Sequence, residues 1–160
     1  MNVLLIHPND SDHSIAPGRF EPLSLETLAA TIPKHEVQIL DLRIDPFHSL
    51  DRVIDSFKPK VIGLTVNNTI HVKSSWKILK YLDKINHGSK IIVGGHHPTM
   101  LPADFRKTYV DAIFYGWAEK SFPAYIEALV NSDTFQHIQG VEILENGKTI
   151  IKNKNQWDIK

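Results

Sequence analysis

Apolar and polar positions along the chain fall into two alternating kinds of block. Compact apolar runs occur at Val3–Ile6, Val37–Leu40, Val61–Thr65, Ile91–Val93 and Ala112–Tyr115. Runs of this length, bounded by turn residues, read as strands covered on both faces. Between them lie stripes at helical spacing: Leu25, Leu28, Ala29 and Ile32; Leu50, Val53, Ile54 and Phe57; Val72, Trp76, Leu79 and Leu82; Phe122, Ile126, Leu129 and Val130. Pro33 and Lys58-Pro59 close the first two helices, the third ends near Gly88, and Ser49 is placed to cap the second. A short helix is expected over Asp104 to Lys107. Val141–Leu144 and Thr149–Ile151 flank Asn146-Gly147, the signature of a tight hairpin.

Strands alternating with helices imply a parallel sheet with helices on both faces and right-handed crossovers. The expected fold class is α/β, a flavodoxin-like (Rossmann-like) doubly wound five-stranded parallel sheet followed by a C-terminal β-hairpin. The 160 residues suffice for one such unit with a substantial core. Residues 1–135 read as the α/β domain, and 136–160 as the hairpin and the start of a polar linker.

Composition narrows the function. Lys and Arg total 18, as do Asp and Glu, so no global field draws nucleic acid or an anionic membrane. The chain has no cysteine, which excludes disulfides, thiolate metal sites and a cysteine nucleophile within it. The first residues lack the pattern of a signal peptide, and no apolar run approaches a membrane span. A cytoplasmic protein is expected.

In an open α/β sheet, ligands bind outside the carboxyl ends of the strands. The loops to inspect are therefore His7 to Pro22, Thr65 to Thr69, Gly94 to Pro102 and Gly116 to Glu119. Gly94-Gly95 follows the fourth strand. Adjacent glycines tolerate positive φ and let a flat or bulky group approach the backbone, or they form only a tight turn. His-Pro-Asn-Asp after the first strand is not the hydroxyl- and glycine-rich phosphate loop of a flavodoxin. Thr65 stands where a receiver domain would carry its phosphorylatable Asp, and no Gly-x-Gly-x-x-Gly follows the first strand.

Several stretches together resemble the N-terminal cobalamin-binding domain of cobalamin-dependent radical S-adenosylmethionine enzymes. They are the first strand into His7-Pro8, Pro22-Leu23-Ser24-Leu25, Val61-Ile62-Gly63-Leu64-Thr65 with Thr69, and Val93-Gly94-Gly95-His96-His97-Pro98-Thr99 with Pro102. Asp111-Ala112-Ile113-Phe114-Tyr115-Gly116-Trp117-Ala118-Glu119, Gly140 and the Asn146-Gly147 hairpin extend the resemblance over nearly the whole chain. The family usually reads Gly-Gly-Pro-His-Pro-Thr in the fourth loop and Gly-Glu-Gly-Glu in the fifth. Here His96 replaces the first Pro, Trp117 and Ala118 replace Glu and Gly, and Ser24 stands where Gly is common.

The resemblance implies a cobalamin (vitamin B12) site built from His7 and Pro8 after the first strand and Thr65, Asn67, Asn68 and Thr69 after the third. Gly94, Gly95, His97, Pro98 and Thr99 would serve after the fourth strand, and Gly116, Ala118 and Glu119 after the fifth. His97 is expected to touch the cofactor in preference to His96. Structural readings stand beside these: His7 as a satisfied histidine, Asn67 and Asn68 as turn residues, Glu119 as an acidic residue entering a helix. The Asp-x-His-x-x-Gly of the methionine-synthase type is absent, and Asp10-Ser11-Asp12-His13-Ser14-Ile15-Ala16 does not match it, so His13 is expected in solvent and not on cobalt. No catalytic residue and no protein metal ligand is expected.

The implied parent enzyme carries a downstream barrel with S-adenosylmethionine and a 4Fe–4S cluster held by Cys-x-x-x-Cys-x-x-Cys. There methylcobalamin commonly donates a methyl group, and some members form rings. The implied partners are cobalamin and that barrel in the same polypeptide. The other reading of the residues is a stand-alone flavodoxin-like binding or sensor domain without catalytic activity.

Overall fold

The computed structural model describes residues 1–9, 20–85 and 88–153. His13 and the expected linker beyond Asn153 lie outside the described residues. The elements are β1 (Asn2–His7), α1 (Leu23–Ala30), β2 (Glu36–Asp41), α2 (Ser49–Phe57) and β3 (Val61–Thr65). A 3-10 turn (Thr69–His71) runs into α3 (Val72–Ile85), followed by β4 (Lys90–Gly94), α4 (His96–Met100) and a second 3-10 turn (Pro102–Phe105). The chain closes with β5 (Ala112–Phe114), α5 (Ser121–Asn131), β6 (Val141–Glu145) and β7 (Lys148–Lys152).

The strands form a sheet in the order β2-β1-β3-β4-β5-β6-β7. Its first five strands are parallel, which is the expected flavodoxin-like order. The hairpin joins the same sheet instead of standing apart, so the sheet has seven strands. β6 pairs antiparallel with the three-residue β5 through Ala112↔Ile143 and Phe114↔Val141, covering an edge that would otherwise present unpaired backbone.

Alternation along the strands sorts the core into two layers. Leu4, Ile6, Ile62, Leu64, Ile91, Val93 and Ile113 face α2 and α3, where Leu50, Val53, Ile78, Leu79 and Leu82 meet them. Val3, Leu5, Val61, Ile92, Ala112 and Phe114 face α1 and α5, where Leu25, Phe122 and Tyr125 meet them. No helix among the described residues is long and apolar enough to cross a membrane.

Three local expectations change. Ser49 does not cap α2: the helix begins at that residue, His48 holds the cap position, and the Ser49 side chain is buried. The short helix expected at Asp104–Lys107 is the 3-10 turn two residues earlier, opened by Pro102. The loop after β4 contains α4, with Pro98 in its first turn, where a missing N–H costs nothing.

One buried polar junction ties the hairpin to the sheet. Glu142 has no exposed surface. It accepts hydrogen bonds from Arg106 Nε at 2.6 Å and Nη2 at 3.1 Å, and from the hydroxyls of Tyr115 and Thr149. Burial alone would raise its pKa; the Arg106, Thr149 and Tyr115 hydrogen bonds outweigh it and hold the carboxyl down at about 2. Burial and the Glu142 carboxylate raise the Tyr115 phenol above its ordinary value.

Candidate functional site

Parallel strands deliver their carboxyl ends to one edge of the sheet. On the α1/α5 side of that edge lies an open cleft of about 420 Å³, within the size range of small-molecule sites. Leu5, Gly63, Ile92 and Phe114 make its floor, with Leu25 and Leu28 of α1 on one wall and Phe122 of α5 on the other. Gly63 contributes to this floor from the middle of β3. A Cβ there would lie 2.9 Å from Leu5 Cδ2 and would rise from the floor into the cleft.

The rim is polar and comes from the strand-end loops. Thr65 donates its hydroxyl hydrogen to Asn67 Oδ1 at 3.1 Å. Thr99 links the loops after β4 and β5: its hydroxyl donates to the Gly95 carbonyl at 2.8 Å and accepts the Gly116 N–H at 2.9 Å. Gly95 has φ +109°, and a Cβ on it would lie 2.8 Å from the Val66 carbonyl oxygen. That oxygen already accepts the His97 N–H at 3.0 Å. The turn itself therefore demands glycine at 95. At Gly94 a Cβ would meet only Phe114 Cβ, at an ordinary 3.5 Å.

Of the residues singled out from the sequence, Thr65, Asn67, Gly94, Gly95 and Thr99 line this cleft together with Gly116, Ala118 and Glu119. The others do not. His97 is 5% exposed; its Nε2–H donates to Asp104 Oδ2 at 2.9 Å, Nδ1 takes the Thr69 hydroxyl at 3.2 Å, and its ring packs edge-on against Phe105. The imidazole of His97 is thus fully engaged inside the protein, and Thr69 is engaged with it. Pro98 is buried beside it, and Asn68 is exposed before the 3-10 turn. Pro8 is buried. His7 is buried as well, donates Nδ1–H to the Pro8 carbonyl at 2.9 Å and meets the His71 ring edge-on. Burial is the main cause of its lowered pKa, aided by Arg43 and His71 and opposed by the Pro8 hydrogen bond and Asp41.

The cleft also recruits residues that the strand-end loops did not reveal. Leu5, Ile92 and Phe114 carry no sequence mark that separates them from ordinary core. Gly63 does carry one, since a glycine inside an apolar strand marks a place where something approaches closely. Ser24, His96, Trp117 and Ala118, the positions that depart from the resembled pattern, all line this cleft. Trp117 is 85% exposed at its mouth. An apolar slot with a hydrogen-bonding rim suits a ligand that has a flat apolar body and polar groups behind it.

The profile of the B12 binding domain matches residues 15–126. The chain belongs to the B12-binding domain family. This B12-binding domain is 28% identical over 155 residues to an uncharacterized methyltransferase of Pyrococcus horikoshii, covering 92% of the chain and 34% of that protein. It is 23% identical over 146 residues to the hopanoid C-3 methylase of Methylococcus capsulatus, covering 88% of the chain and 28% of that protein. Among solved structures, the radical S-adenosylmethionine methyltransferase TsrM of Kitasatospora setae, with cobalamin and a 4Fe–4S cluster bound, shares the fold. Its TM-score is 0.79 at 20% identity, covering 99% of this chain and 30% of that one. The B12-binding domain thus spans about a third or less of the relatives it matches.

The residues present fit a corrinoid. Cobalamin combines a broad, amide-fringed corrin with a nucleotide arm ending in a flat base. The base suits the apolar slot over Gly63, and the amides suit the donors and acceptors of Thr65, Asn67 and Thr99 at the rim.

Proposed function

We propose that this domain is the cobalamin-holding module of a longer, cytoplasmic radical S-adenosylmethionine enzyme, a methyltransferase or a cyclase. Residues 136–160 would form the hairpin and the start of the connection to its barrel. The observation that carries the site assignment is the cleft over Gly63, rimmed by the loops after β3, β4 and β5. Cobalamin supplies the organometallic group-transfer chemistry when bound. The chain's own residues bind and orient it. Leu5, Ile92, Phe114 and Phe122 offer apolar contact to the base, and the slot they form keeps water from it. Asn67 and Thr99 present hydrogen-bonding groups to the amides, and Trp117 offers an aromatic face at the mouth.

The share of the relatives that the chain covers supports a partner domain in the same polypeptide, because those relatives extend far beyond the matched part. S-adenosylmethionine and the 4Fe–4S cluster would belong to that further domain.

The test is retention of hydroxocobalamin through desalting, read by visible absorption. Close to one corrinoid per chain is expected. Complete loss of colour from both this chain and a longer natural form containing it would overturn the proposal.

A further inference from the structure

The cleft carries little charge. Among the described residues that line it, only His96 and Glu119 ionise, and none is lysine or arginine. Lys120, next to Glu119 in sequence, is exposed and outside the lining. The nucleotide arm of cobalamin carries a phosphodiester, a permanent monoanion, ahead of its flat base. A base seated over Gly63 brings that anion to the rim. There α1 contributes the uncharged Ser24 and Thr27, the loop after β3 contributes the uncharged Thr65 and Asn67, and the loop before α5 contributes the Glu119 carboxylate. His96, after Gly95, is the one side chain able to carry positive charge among the described lining residues.

The structure leaves His96 available for that role. It is exposed, and its ring makes no hydrogen bond or ion pair with the described residues. The adjacent histidine has the opposite fate: His97 is buried with both ring nitrogens engaged. Both histidines lie in the first turn of α4, where successive side chains point to different sides, so one imidazole turns inward and the other stays at the cleft.

We propose that the imidazolium of His96 is the cationic contact for the phosphodiester of the corrinoid's nucleotide arm, so that protonating this side chain tightens cofactor binding. Glu119, a carboxylate on the same rim, opposes the anion, which keeps the effect moderate. The inference rests on the cobalamin reading above and adds the residue that selects a corrinoid bearing the anionic arm.

The experiment is equilibrium dialysis of the full chain, in the dark, against methylcobalamin and against methylcobinamide, which keeps the corrin and lacks the nucleotide. The pH is lowered from about 7.5 to about 5.5, which favours the imidazolium form of a histidine side chain. Over that range, affinity for methylcobalamin should rise roughly two- to fivefold, as for a solvent-exposed ion pair. Affinity for methylcobinamide should not rise. In His96→Gln the rise should vanish, and in His96→Arg the tighter binding should persist across the whole range. A rise that survives in His96→Gln, or that appears equally with methylcobinamide, overturns the assignment. Methylcobalamin binding with no pH step in the parent overturns only the role of His96. No binding of either corrinoid at any pH, by this chain and by a longer natural form containing it, overturns the cobalamin reading, and this inference with it.

Discussion

The α1/α5 cleft and the Glu142 junction lie on neighbouring parts of one sheet, and both are built from polar groups set among apolar ones. They treat those groups in opposite ways. At the junction, the Glu142 carboxylate is closed off from solvent and takes hydrogen bonds from Arg106, Tyr115 and Thr149. At the cleft, His96 and Glu119 are exposed on the rim above an apolar floor. A polar group whose partners all lie within the fold serves stability, because removing one partner leaves the others buried and unmet. A polar group facing open space adds little to stability and is free for a ligand. The histidine pair repeats the contrast within two residues, with His97 satisfied inside and His96 left at the rim.

The sharpest test of that contrast is Glu142→Gln. Losing the charge at a fully buried ion-paired site should cost about 3 kcal/mol near neutral pH, measured by urea unfolding. The pH dependence follows from a folded-state pKa held at about 2, below the ordinary 4.5. The carboxylate's contribution is complete above the ordinary value and is lost as pH falls through the folded one, so the variant should lose stability less steeply in acid. Cobalamin retained per folded molecule should match the parent. A large fall in retention would erase the distinction between the two regions.

Gly63→Leu is the converse change. Its added atoms rise from the cleft floor, where the nearest atom is the mobile end of Leu5. Filling the slot should weaken corrinoid binding by about 3 kcal/mol, the scale of an overpacked site and roughly a hundredfold in affinity. The apo-protein should lose less stability than in Glu142→Gln. Unchanged cobalamin affinity in a folded Gly63→Leu protein would move the site elsewhere.

The smallest effect concerns His7, which resembles the junction in being buried. Burial lowers its pKa, so protonation favours the unfolded chain. The stability of the neutral form is complete above the ordinary histidine value near 6.5 and declines as pH falls below it toward the folded value. His7→Gln should therefore show a shallower fall in melting temperature on mild acidification while keeping its cobalamin affinity. An unchanged slope would mean that His7 stays neutral at no cost to the fold.

Much of the fold was legible because strand and helix periodicities are local. The apolar runs Val3–Ile6, Val61–Thr65 and Ile91–Val93 sit where they were read, and the parallel order follows from the alternation of elements. The strand-end loops were legible for the same reason, and Thr65, Asn67, Gly94, Gly95, Thr99, Gly116, Ala118 and Glu119 do meet at one cleft. Assigning the adjacent histidines was not possible locally. Which imidazole turns inward depends on Thr69 and Asp104, whose positions relative to residue 97 the fold alone supplies.

By itself, the sequence determined the class of fold, the edge of the sheet at which the cleft opens, and most of the cleft's rim. Those features follow from periodicity, from turn chemistry and from the direction in which parallel strands run. Only the tertiary structure decided that the hairpin completes the sheet, that Glu142 is the buried anchor of that junction, and that Gly95 is required by the Val66 carbonyl. It also decided that the cleft floor is made of Leu5, Gly63, Ile92 and Phe114, residues from different strands that meet through sheet registry alone. The physical reason is common to all of these. A contact between distant segments is set by packing and pairing across the sheet, and the local pattern of either segment carries no record of its partner.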